Sequence, residues 1–323
     1  DITDTTVISN NVDVHATSDG DILAAAVGFA GAEGNAIAGQ FGLNYTQQEV
    51  IAGIYNSTIE SNSGDVDVNA NNSSTIQALT GAGALGWSSS SGTGVGAALS
   101  FNITNDTTEA TIDSSAITAS DGNVVVEAIY TATVETITAG VAIGKQVGVA
   151  GSLSTVVLTN ETQATITNSF VDADRNLLVH ADQDGVINTI AGAAGFSQQS
   201  VGLGGGVSIS VLTNDVRATI EDSTIHARAT DGVTVQINDW YDPDQADSAG
   251  VDAGDETSET ISGLAVVASS SENLQLYSGT VGFSSNQAGV GVNLAPHFVS
   301  DTVRAYIADS DVNTAADHGG DIM

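Results

Sequence analysis

Cysteine is absent from the 323 residues, so neither a disulfide framework nor thiolate chemistry is open to this chain. A chain without thiols also cannot cross-link itself while crossing a membrane unfolded. Proline occurs twice, against a usual share of ~5%. Basic residues are as scarce: Lys145, Arg175, Arg217, Arg228 and Arg304 stand against 39 Asp and Glu, for a formal net charge of −34. That charge repels phosphate backbones and anionic lipid, which excludes nucleic-acid binding and a basic membrane-surface role. Five scattered cations also argue against acidic polysaccharides as substrates. Aromatic residues supply only 5% of the chain, so a core must be built from Ala, Val, Ile and Leu. The longest apolar stretch, residues 22–32, is too short and too rich in Gly and Ala to span a bilayer, which needs ~20 residues. The opening Asp1-Ile2-Thr3-Asp4 has no initiator Met, basic region or apolar leader. A secretion signal is therefore expected to have been removed or to lie outside this segment.

What is present points one way. Val, Ile, Thr and Ser are abundant, with 36 Gly among them, and this mixture favours strands and tight turns over helices. High charge alone would suggest disorder, but the apolar residues here are plentiful and periodic. The expectation is a folded, acidic, all-β chain.

The periodicity has a unit. The pattern A-x-I-x-x-S-x-[IV]-x-A, a short turn of Gly, Asn or Asp, then [VIL]-x-V-x-A, reads Ala110, Ile112, Ser115, Ile117, Ala119, Val124, Val126, Ala128. It returns from Ala164, from Ala218, from Ala52 and, after a longer gap, from Ala305. The first residues match with the leading Ala missing. The motif isoleucines Ile2, Ile54, Ile112, Ile166, Ile220 and Ile307 are separated by 52, 58, 54, 54 and 87 residues. Units thus begin near residues 1, 52, 110, 164, 218 and 305 of one continuous array spanning 1–323, and the last interval carries an insertion. Within each motif Ala, Ile, Ser, Ile and Ala point to one face, and the polar residues to the other. Runs of three to five residues ending at Asn-Ser, Asp-Ser or Asp-Gly are strands joined by tight corners. Repeated in register they build a β-solenoid, β-helix-like, whose inward Ile and Val stack along the axis.

Between motifs lie longer runs of small apolar residues broken by polar tips: Glu33-Gly34-Asn35, Ser88-Ser89-Ser90-Ser91, Gly144-Lys145-Gln146, Ser197-Gln198-Gln199-Ser200 and Ser284-Ser285-Asn286-Gln287. Two alternating runs around a polar tip predict a long Gly/Ala-rich β-hairpin. Each unit of ~54 residues would then combine short corner-turning strands with one such hairpin. Its Gly and Ala allow the sheets to pack closely, either on each other or on the solenoid wall.

The motif run resembles the repeats of large secreted bacterial filamentous adhesins, the filamentous-haemagglutinin and leukotoxin-type giant adhesins. The likeness covers the chain except an insertion near residues 238–260. It implies a β-helical stalk outside the cell, at the cell surface or in a biofilm matrix, and it implies no particular ligand. The unit is longer than the ~20-residue coil of a simple β-helix, and no secretion-domain motif is present. The expected partners are the chain itself, head-to-tail or laterally, or flanking repeats of a longer chain, with surface glycans as a further class. Neither nucleic acid nor membrane insertion is expected.

The acidic insertion is the one irregular feature. Asp242, Asp244 and Asp247 are spaced to offer several oxygens to one hard cation such as calcium, beside Trp240 and Tyr241. The Gly and distal Glu of an EF-hand are missing, so a solvated acidic loop is the alternative, and no other cofactor is indicated. His15, His180, His226, His297 and His318 do not cluster at metal-ligand spacing. His180 and His226 fall at outward motif positions of neighbouring units, where they are expected to face solvent or stack. Asp121 and Asp174 are an acid pair that neighbouring units would bring together. No nucleophile elbow, zinc motif or phosphate loop occurs, and Gly202-x-Gly204-Gly205-Gly206 lies within a predicted strand, where it reads as close sheet packing. An enzyme is therefore not expected. A carbohydrate-active β-helix enzyme, or a ligand-binding adhesin head using the insertion, remain the readings from other classes. Seven N-x-[ST] sequons, at Asn44, Asn56, Asn71, Asn72, Asn102, Asn105 and Asn160, would carry glycans only where they face outward.

Overall fold

Alternating inward and outward residues over more than twenty positions make the longest strands, and a short tip of one to five residues turns the chain. In a computed structural model, which describes residues 1–89, 91–228, 233–238, 256–313 and 321–322, the chain winds as a solenoid. One coil illustrates the plan. Val124–Gly144 runs outward, the chain turns at Lys145-Gln146, Val147–Thr167 runs back, and Phe170–Ala173 closes the coil. Equivalent strands of successive coils pair in parallel and form three sheets.

The outgoing sheet contains Val12–Glu33, Val66–Trp87, Val124–Gly144, Leu177–Ser197, Gly263–Ser284 and Asp321–Ile322. The return sheet contains Ile2–Thr3, Asn35–Thr46 with Glu49–Tyr55, Thr93–Asp113, Val147–Thr167, Val201–Glu221, and Ala288–Leu294 with His297–Ala308. The closing sheet stacks the short strands Thr6–Ser9, Thr58–Ser61, Ala116–Ala119, Phe170–Ala173, Thr224–Ala227 and Asp311–Val312. The offset between stacked residues is 58 for Ser57 and Ser115, 54 for Ser115 and Ser169, and 87 for Ser223 and Ser310. The larger last step reflects the insertion, which is flanked by Val233–Asn238 and Glu256–Ile261 paired antiparallel.

The all-β solenoid agrees with expectation, and one part of the unit does not. The long arms fold back on each other but do not hydrogen-bond as a hairpin. Val124–Gly144 pairs with Val66–Trp87 and Leu177–Ser197, and Val147–Thr167 with Thr93–Asp113 and Val201–Glu221. The arms face each other through their side chains as an arch. Period-two alternation is the same for a hairpin and for an arch, which is why the pattern did not separate them.

The cross-section tapers. At its thick edge, against the closing sheet, Val66, Val68, Ala110, Ile112, Ile117, Val124, Val126 and their equivalents in the other coils form one continuous buried core. A second, smaller apolar cluster lies further along the long strands, with Ile76, Val134, Val156, Leu158, Ile187 and Leu212. Beyond it the inner positions are Gly, Ala and Ser, and the two long sheets close into a thin blade. A Cβ built on Gly204 would lie 2.6 Å from the carbonyl oxygen of Val281. At Gly94, Gly148 and Gly202 it would collide with the carbonyls of Ile143, Phe196 and Phe283. The small residues thus bring the arms onto each other rather than onto the solenoid wall.

The motif serine holds the corner between the return and closing sheets. Asn56, Ser114, Asn168, Asp222 and Asp309 take positive φ there (48–52°), a conformation Asn and Asp tolerate better than most residues. The serine that follows accepts a hydrogen bond from the backbone of the preceding coil: Ser57 N to Ser115 Oγ, Ser115 N to Ser169 Oγ and Ser169 N to Ser223 Oγ, each at 3.1 Å. Each hydroxyl also donates to the carbonyl two residues back, as Ser169 does to Thr167 at 2.7 Å. The corner before the outgoing sheet has its own ladder. Asn123 donates to Asp65 Oδ1 (3.0 Å), Asn176 to Asn123 Oδ1 (3.0 Å), and Gly263 N to Asn176 Oδ1 (2.7 Å).

Candidate functional site

Between the two apolar clusters a polar layer runs up the interior. In the return sheet Asp106, Asn160, Asn214 and Asp301 occupy one register position. Asn160 donates to Asn214 Oδ1 at 3.4 Å, and Asn214 donates to Asp301 Oδ1 at 2.9 Å and to Glu272 Oε1 at 2.5 Å. Across the interior Tyr130, on the outgoing sheet, donates to Asp106 Oδ2 at 2.8 Å, while the backbone of Gln48 donates to Oδ1 at 2.9 Å. Two turns of the pleat away, Asn44 donates to Asn102, and Asn102 to Thr136, both at 2.7 Å. These bonds cross between coils and between sheets, so the layer fixes register where apolar packing alone would permit slippage.

Burial governs the chemistry of this layer. It raises the Asp106 carboxyl, against which the bonds from Tyr130 and Gln48 pull downward. It raises the Tyr130 hydroxyl, with the Asp106 charge adding to the effect. At the last coil burial, helped by the Asp301 charge, pushes Glu272 up to about 7, and Asp301 is raised by its own burial. Glu272 reaches inward over Gly185, where any Cβ would strike its carboxylate. Asp106 and Tyr130 are thus titratable groups that hold structure while enclosed between the two sheets, whereas Asp301 at the last coil is exposed.

On the outside, acids stack in register. Asp13 and Asp67 are partners in the outgoing sheet. Asp67 is pushed up to about 6, first by burial and then by Asp65 and Asp13. Asp121 and Asp174 do meet across coils: the Asp174 carboxylate accepts the Asp121 N–H at 3.1 Å. Asp174 is also bridged by Arg228, which reaches Asp172 at 2.8 Å as well. This is a corner clamp made by one of the few cations, and nothing in the motif pattern signalled it.

One histidine differs from expectation. His180 is buried, 2% exposed, and its Nδ1 lies 3.0 Å from Glu127 Oε1. The outer side of the outgoing sheet is covered there, with Leu178 and Ala265 buried together beside Val125 and Val267. His226 sits on the closing sheet, edge-on to Phe170 with ring centres 5.5 Å apart. His180 and His226 therefore belong to different sheets and do not stack. Four sequons, Asn44, Asn72, Asn102 and Asn160, face inward and are buried. Asn56, Asn71 and Asn105 are exposed.

Asp242, Asp244 and Asp247 lie outside the described residues. Among the described residues no group of three or more His, Asp or Glu is arranged to hold a metal ion, and no helix is long and apolar enough to cross a membrane. A cleft at the blade tips is lined by Glu33, Trp87, Ser88, Lys145 and Gln198. Lys145 donates there to the carbonyls of Ser88, at 3.0 Å, and Ser89. Comparison with protein-family models, curated proteins and solved structures returned no match.

Proposed function

We propose that this chain is a structural element of an extracellular fibre, a stalk or filament segment of a cell-surface adhesin or matrix protein, rather than an enzyme. The observation that carries the reading is the unbroken register of the axial ladders. Strands of about twenty residues pair position for position through five coils, from Val12–Val66 to Leu177–Leu264. Backbone hydrogen bonds, the Ser corner, the Asn/Asp corner and the polar layer all run in the same axial direction. An object bonded in this way resists bending and stretching along its axis, which is what a stalk requires. The titratable groups with displaced pKa values support the same reading, because they are stacked along walls and corners or sealed in the interior. Resemblance of the repeat to filamentous adhesins favours a location outside the cell.

Strand edges at both ends of the described solenoid, Val12–Glu33 at one and, at the other, Gly263–Ser284 beyond the two residues that Asp321–Ile322 pairs, would be met by a second copy of the chain in a fibre. Negative-stain electron microscopy at rising concentration, with calcium and with chelator, tests this. Fibres much longer than one chain, giving an axial fibre-diffraction spacing of ~4.8 Å, are expected. Compact particles that turn over an oligosaccharide would overturn the reading in favour of a carbohydrate-active enzyme.

A further inference from the structure

Glycine in the middle of a strand weakens it, and its presence there often marks a close approach by something else. The inward glycines of the blade are explained by the opposing sheet. Three on the outer face of the return sheet are not, and neither is Gly279 on the outgoing sheet. A Cβ on Gly39, Gly151 or Gly205 would meet nothing within 4 Å, and none of the three has a positive φ. They share one column of the return sheet, Gly39–Ala97–Gly151–Gly205, which Val292 closes in the last coil. On either side stand ridges of large apolar residues. Ile37, Leu203 and Val290 form one, and Phe41, Leu99 and Leu294 the other, all of them exposed (Ile37 by 74%). The outer face of the blade is thus a groove floored by Gly and Ala between two parallel apolar ridges.

We infer that this face packs against the same face of a second copy, each copy inserting a ridge into the other's glycine groove. The inference deepens the fibre reading by naming its lateral contact. Ridge and groove are two residues apart along the strand, so the face is complementary to itself, as a twofold contact requires. In a chain of net charge −34 the stretches 35–46, 93–105, 147–160, 201–214 and 288–300 contain no Asp, Glu, Lys or Arg. Like-charge repulsion is therefore kept off the contact and confined to the thick edge. A twofold parallel to the solenoid axis sets the two thick edges on opposite sides and keeps equivalent coils level. The uncharged part of the face measures roughly 40 Å along the strands by roughly 24 Å across five coils. That is about 900 Å², comparable with the ~800 Å² per partner of a stable interface.

Sedimentation velocity on the whole chain tests the contact. The parent chain should associate, and Gly151→Leu or Gly205→Leu, whose side chains enter open space in the single chain, should weaken association on the order of tenfold or more with an unchanged circular dichroism spectrum. With no native cysteine, cross-linking gives a second readout. Chains bearing Gly151→Cys, mixed with chains bearing Val149→Cys or Leu153→Cys, should form an interchain disulfide with one of the two. A parent that stays monomeric, leucine variants that associate like the parent, or no cross-link with either ridge position would overturn the proposal. So would a monomer that binds phosphatidylcholine vesicles through this face. Electron microscopy separates the two readings: long fibres one blade wide would refute the lateral contact alone, and paired chains without fibres would refute the fibre alone.

Discussion

The thick edge and the blade are built by the same strands and follow opposite rules. At the thick edge Ile112, Val126 and Ile166 point inward and are fully buried, while acids such as Asp13, Asp67 and Glu127 point outward. In the blade Gly94, Gly148 and Gly202 point inward, and Ile37, Phe41, Val141 and Ile143 point outward and are exposed. The alternation is identical in both regions, so alternation does not say which face is the core. Residue size decides it. Where inner residues are large, a core of side chains separates the sheets and the hydrophobic effect holds them. Where they are Gly or Ala, backbone meets backbone, cohesion comes from close packing and strand ladders, and the large apolar residues are left for an outside partner.

Substitutions can sharpen this contrast, and the largest effect should come from the thick edge. Ile166→Ala leaves a cavity in a fully enclosed position and should cost about 2–5 kcal/mol, read from the denaturant midpoint. Next comes the inner blade. Gly148→Val drives a side chain into the carbonyl of Phe196 and should cost about 2–3 kcal/mol, since a backbone atom cannot move aside as a side chain can. A cost near zero would mean the sheets of the blade are further apart than described. Ser169→Ala removes the acceptor for the Ser115 N–H and should cost about 1–2 kcal/mol, with faster amide exchange at Ser115 as its local signature.

A pH effect follows in size. The folded-state pKa of Glu272, about 7, lies above its ordinary 4.5, and that of Asp67, about 6, above its ordinary 3.8. Folding therefore favours the protonated form of each. Their contribution is fully present below the ordinary values and is lost as pH rises through the folded ones. Thermal midpoints should fall between pH 5 and pH 8, and Glu272→Gln should flatten that slope. The smallest effect belongs to the outer blade. Gly151→Ala should be neutral or should stabilise the single chain by up to about 1 kcal/mol, the opposite sign to Gly148→Val three residues away.

Much of this was legible in the repeat. The spacing of Ile54, Ile112, Ile166 and Ile220 fixes the coil, and the motif Ser marks its corner. Gly202 and Gly204 read correctly as close sheet packing, because a strand that gives up its side chains lets a second backbone approach, whereas Gly205 of the same run faces outward into open space. The arch escaped because nothing local distinguishes two facing strands from two paired ones. The interior polar layer escaped because Asn160 and Asn214 sit between Thr and an acid, Glu161 or Asp215, where an inward Asn looks like any polar alternation. His180 was placed outward correctly and yet is buried, because alternation gives the direction of a side chain and not what lies over it. The candidate calcium residues Asp242, Asp244 and Asp247 gain no support from geometry, since they lie outside the described residues.

The central claim is that residues far apart in sequence stack level by level along one axis. Glu49 and Thr302 occupy the same outward column of the return sheet, through Thr107, Glu161 and Asp215. Nitroxides on Glu49→Cys and Thr302→Cys, measured by pulsed electron resonance in a chain with no other thiol, read the stack directly. Four strand spacings predict a narrow distance distribution centred near ~20 Å. A broad distribution, or one centred beyond ~40 Å, would contradict the solenoid.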